Sequence, residues 1–119
     1  LTNQIKDLIE DLRAVNGDQE YVFYSPRGRG TSHINPAAIN LYLIRLGYKG
    51  MLTAHGIRAI PLTVGQEVLG FESEIIQRQM AHIVGDKVRQ AYDRSKFFEE
   101  RRAFMVAWCD ALTSQGLVT

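Results

Sequence analysis

The stretch FFEERRAFMVAWCDALTSQG, residues 97–116, constrains this chain most. It runs 20 residues without a proline and is ended by Gly116. Phe97, Phe98, Phe104, Met105, Trp108 and Leu112 lie along it. That length is too great for an ordinary strand, and the spacing predicts a long helix with an aromatic stripe. Such a stripe has to be buried against other elements. Phe104 and Trp108 are therefore expected in a core, with the tail at 112–119 left as a surface for a partner.

The rest of the chain supplies more helices. NQIKDLIEDLRAV sets Ile5, Leu8, Ile9 and Leu12 at helical spacing, and Asn16-Gly17-Asp18 stops it. YVFYSP, ended by Pro26, is a short extended run and at most a scrap of strand near 21–24. RGRGTSH reads as a solvated loop. Asn35 followed by Pro36 is a helix entry, a capping side chain and then a first-turn proline. The helix it opens carries Ile39, Leu41, Leu43, Ile44 and Leu46 and stops at Gly47. Thr53 can cap a helix that holds His55 and Arg58 and runs to about Gly70, with Pro61 tolerable only in the first turn. Ser73 is expected to cap a helix with Ile75, Ile76 and Met80 facing inward. Gly85 marks a break, and KVRQAYDR reads as a short helix or turn. The expected class is mainly α, with no repeats and no linker.

Totals narrow the function only slightly. No apolar run approaches the roughly 20 residues of a membrane span. Cys109 is the single cysteine, so no internal disulfide can form. A cytoplasmic protein is the simplest reading. The chain opens inside a helix without a methionine, and a piece of a longer protein is expected. The net charge of +1 hides an asymmetry. Residues 1–20 carry a net −3, from two basic and five acidic side chains. Residues 78–102 carry a net +3, from seven basic and four acidic ones. A charge run of this kind is commonly a solvated face. Around a reactive group, it also attracts a phosphate backbone.

The residues able to do chemistry fall in or near that basic half. His55 and Arg58, in HGIR, are one helical turn apart on one face. An imidazole, a guanidinium and the free N–H groups of a helix start together favour an anion. His82 ends an amphipathic helix. Tyr92 sits among Lys87, Arg89 and Arg94, cations that favour a phenolate and are candidate DNA phosphate contacts. Each residue also has an ordinary reading: a surface histidine, a helix-end charge, a packed aromatic.

Taken in order, HGIR, QRQMAH, VRQAYDR and FFEERRAFMVAWCDAL resemble the carboxyl-terminal catalytic region of tyrosine recombinases, most nearly the integrases of bacteriophages and genomic islands. The resemblance extends to NQIKDLIEDL, YVFYSPRG and AAINLYLIRLGYKGMLTAHGIRA, nearly the whole chain. It implies a mainly α DNA breaking-rejoining fold, with residues 1–119 forming one partial catalytic domain that lacks its amino-terminal part. It implies site-specific DNA recombination, integration or excision of a mobile element, through a 3′-phosphotyrosine intermediate.

By that resemblance Tyr92 matches the nucleophile. Arg58 matches the second arginine that clamps non-bridging phosphate oxygens, and His55 the histidine of the same box. His82 matches the histidine-or-tryptophan position that binds the scissile phosphate. The energy of the broken bond stays in the phosphotyrosine, so no metal or nucleotide cofactor is needed. The partner is double-stranded DNA, bound by a homotetramer in a bacterial cytoplasm, with no membrane. The family's first arginine and its strand lysine lie upstream of residue 1, and neither Arg13 nor Lys6 takes their place. The chain alone is therefore expected to be inactive. The competing expectation is a helical DNA-binding remnant of an integrase that has lost turnover.

Overall fold

The computed structural model describes residues 1–17, 19–28, 32–82 and 97–116. It is mainly helical, with six α-helices and no strand among the described residues. Two compact units divide the described residues, one within residues 3–54 and one within residues 55–116 together with Leu1 and Thr2.

In the first unit, α1 spans Asn3–Asn16. It ends where Gly17 adopts φ 63° and donates its N–H to Arg13 O at 2.8 Å. The Asn16 side chain then reaches Val22 O at 2.6 Å, which ties down the following turn. The extended run expected at 21–24 amounts to one antiparallel bridge, Tyr24 with His33. Pro26, which has no N–H to donate, starts a single 3-10 turn at Pro26–Gly28 directly after it, so the ladder does not extend. The edge of the Tyr21 ring meets His33 at 5.7 Å.

Helix α2 spans Ala37–Arg45 and begins as the Asn35-Pro36 pair implies. Asn35 Oδ1 accepts the Ala37 N–H at 2.8 Å, while Pro36 already holds helical dihedrals. Gly47, at φ 92°, closes it. Of its apolar residues only Leu43 is buried, whereas Leu41 is 57% exposed. Helix α3 spans Ala54–Ile57. The Ala54 N–H goes to Asn40 Oδ1 at 2.8 Å, so an asparagine of α2 meets a donor at this helix start.

The second unit holds the core. The single helix expected from 54 to about 70 is two helices, α3 and then α4 at Ala59–Glu67. Pro61 is the reason. It cannot donate to Ile57 O, and its ring crowds that carbonyl. The chain therefore restarts at Arg58, and Pro61 falls in the first turn of the new helix, where proline is tolerated. Helix α5 spans Ser73–Gln79. Ser73 is its first helical residue, not its cap. Its Oγ accepts from Gln77 Nε2 at 2.7 Å, and Glu72 O takes the Ile75 N–H at 3.0 Å. Helix α6 spans Phe98–Ser114, as the long apolar stretch predicts.

Ile75, Ile76 and Phe104 form the buried centre, surrounded by Leu62, Leu69, Phe71, Met80, Phe97, Met105 and Trp108. Phe71 meets Phe104 edge-on at 5.4 Å, and Trp108 stacks beside it at 6.5 Å. The expected core roles of Phe104 and Trp108 hold, but Phe98 is 62% exposed. Burying a side chain of this size contributes on the order of 2–3 kcal/mol. This packing joins α4, α5 and α6 and thereby sets the end of α5 relative to the start of α4.

Candidate functional site

Arg58 stands at the junction of α3 and α4, with φ −68° and ψ −21°. Its backbone N–H closes a turn onto His55 O at 3.1 Å. The two residues of HGIR are thus held in one tight turn by a backbone bond. Both side chains are exposed. From the junction the Arg58 guanidinium reaches α5, where Nη2 donates to Met80 O at 2.5 Å.

Met80 is the cap of α5, and its carbonyl lies at the negative end of that helix. Two residues later comes His82, also exposed. The intervening Ala81 is left-handed, φ 55°. The Ala81 N–H bonds Arg78 O at 3.1 Å and the His82 N–H bonds Gln77 O at 2.9 Å. These are the two bonds of a Schellman motif, with alanine where glycine is usual. The structure therefore brings Arg58 against the segment that carries His82, although 24 positions separate them in sequence.

Two cations of the basic stretch have intramolecular partners. Arg78 makes two hydrogen bonds to Glu74 Oε1, at 2.6 and 3.0 Å, and lies over the Phe97 ring at 5.6 Å. Arg101 Nε donates to Gln79 Oε1 at 3.0 Å. The end of α5 and the start of α6 are joined by these two arginines. In the sequence both stand out only as charge. The Glu74–Arg78 pair had a signal, the four-residue spacing of opposite charges on a helix. Ala81 and the Gln79–Arg101 bond had none. Tyr92, Lys87, Arg89 and Arg94 lie outside the described residues. No group of three potential metal ligands occurs among the described residues. No described helix is long and apolar enough to cross a membrane.

Prophage integrase IntA of Escherichia coli is 35% identical over 103 residues, 87% of this chain and 24% of the relative. The chain belongs to the phage integrase family. Prophage integrase IntZ of Escherichia coli is 31% identical over 114 residues, covering 96% of this integrase chain and 28% of the relative. The integrase of Shigella phage Sf6 is 26% identical over 112 residues. The chain spans about a quarter of the length of the curated relatives it matches. No family model and no solved structure matches it. The mainly α class expected of an integrase agrees with the six helices described above.

Proposed function

We propose that this integrase chain is the greater part of a catalytic domain that cleaves and rejoins DNA at specific sites through a 3′-phosphotyrosine. The observation that carries the reading is the Arg58–Met80 hydrogen bond, which gathers the arginine of HGIR and the segment of His82 into one neighbourhood. The integrase names of the relatives supply the DNA.

Tyr92 Oη attacks the scissile phosphorus and forms a new O–P bond. The bond from phosphorus to the 5′ oxygen breaks, and that oxygen leaves as a hydroxyl after taking a proton. Later, a 5′ hydroxyl of the partner duplex attacks the phosphotyrosine and restores the phenol. Negative charge builds on the non-bridging oxygens during each step. Arg58 bonds two of them through its planar fork. His82 adds a donor to the same phosphate, and His55 carries a proton. Lys87, Arg89 and Arg94 contact flanking phosphates. The intact protein acts on double-stranded DNA as a homotetramer and uses no cofactor. An upstream arginine and lysine complete the site, and without them residues 1–119 do not turn over.

A duplex with a nick beside the cleavage site tests this. The short 5′ fragment diffuses away and traps the covalent complex. The full-length protein should give a DNA-linked band on a denaturing gel. Tyr92→Phe should abolish the band with little change in DNA binding, because only the phenolic oxygen is lost. A band of undiminished intensity from the Phe variant would assign the nucleophile elsewhere.

A further inference from the structure

We propose that Ala81 is a positioning residue, whose left-handed backbone holds the Met80 carbonyl and the base of His82 where Arg58 needs them. The inference rests on reading Arg58 as a phosphate ligand and extends it to a residue with no reactive group. At φ 55°, Ala81 occupies a region that side-chain-bearing residues rarely adopt. Its own side chain is exposed, so core packing does not demand this conformation. What the conformation achieves is visible in the bonds on either side.

It lets the Ala81 and His82 N–H groups turn back onto Arg78 O and Gln77 O. The chain thus reverses directly after Met80, and Met80 O accepts Arg58 Nη2. That bond uses one N–H of the guanidinium and leaves its other donors for an anion. A guanidinium fixed through one nitrogen keeps less rotational freedom and is oriented before the phosphate arrives. His82 begins its path from the same reversed turn. An extended or right-handed residue 81 would redirect both groups at once.

The test uses the full-length integrase that carries this chain. The readouts are the single-turnover rate constant on a nicked duplex at saturating DNA, the Kd for that duplex, and Tm. Ala81→Gly and Ala81→Asn tolerate the left-handed region and should cleave within about threefold of the parent. Ala81→Val, which does not, should be slowed by about tenfold, with Kd within about threefold. A defect confined to folding lowers Tm and the reactive fraction, but not the rate constant of the molecules that react. If Ala81→Val does not fold, Ala81→Leu replaces it. Leu matches Asn in size but not in left-handed tolerance, and should be slower than the Asn variant by about threefold or more. In the Arg58→Lys background the same residue 81 substitution should cost almost nothing further, because the two act through one group. Parent-like cleavage by the Val or Leu variant, or an equal loss in both backgrounds, overturns the positioning role alone. Parent-like cleavage by Arg58→Lys itself overturns the reading of Arg58, and this proposal with it.

Discussion

Gly65 of α4 lies against Ile76 of α5 so closely that a Cβ on Gly65 would stand 2.7 Å from Ile76 Cδ1. The same atom would come within 2.9 Å of Phe104 Cε2. Ile76 and Phe104 are almost fully buried, so neither has space to retreat. The glycine is required here by close approach, since its backbone is ordinary helix.

Gly65→Ala should therefore destabilise the fold despite the better helix propensity of alanine. Overpacking of this kind costs about 1–3 kcal/mol, against roughly 1 kcal/mol gained in propensity. Urea unfolding of the full-length protein should show a lower midpoint. An unchanged or higher midpoint would mean that α4 and α5 can separate without loss.

Phe104→Ala removes the ring that Phe71 meets edge-on and Trp108 stacks on. The expected loss is about 3–5 kcal/mol, from transfer and cavity together. Thermal melts should show a large fall in Tm, with protease sensitivity along α6. Phe98→Ala, at an exposed position of the same stripe, should change Tm little. Equal effects from the two would contradict the core assigned here.

These two phenylalanines show how far the sequence could be read. Apolar spacing found α1, α2, α5 and α6, because helical periodicity is local. It could not tell buried Phe104 from exposed Phe98, since that depends on which neighbours arrive from α4 and α5. Pro61 was recognised as a first-turn residue, yet its consequence, a restart at Arg58, follows from a clash with the Ile57 carbonyl one turn earlier. HGIR and His82 were legible only as candidate residue types in order. The bond from Arg58 to Met80 O was not legible, because a backbone carbonyl leaves no mark in a sequence. Ala81 shows the same limit, for nothing in an alanine announces a left-handed dihedral.

Arg58→Lys should lose far more cleavage than a preserved charge suggests. Lysine cannot bond two phosphate oxygens as a fork, and one such donor is typically worth about 100- to 1,000-fold in rate. Single-turnover cleavage measures this directly. A rate within about threefold of the parent would remove Arg58 from the phosphate site.

DNA binding should weaken steeply with salt, as counterions are released from the backbone. Each of Lys87→Ala, Arg89→Ala and Arg94→Ala should lower the slope of log K against log salt by about 1 where the side chain meets a phosphate. Titrations at several salt concentrations give the slopes. Parental slopes in all three variants would place the phosphate contacts elsewhere.

The central claim is that Tyr92 carries the DNA during strand exchange. Trypsin cuts after Arg89 and Arg94, so Tyr92 falls in the short peptide Gln90–Arg94. The covalent complex trapped on the nicked duplex can be digested with nuclease and trypsin and examined by mass spectrometry. The account predicts one nucleotide-modified peptide, QAYDR, with a 3′-phosphate linkage on Tyr92. An adduct on any other residue, with QAYDR unmodified, would contradict it.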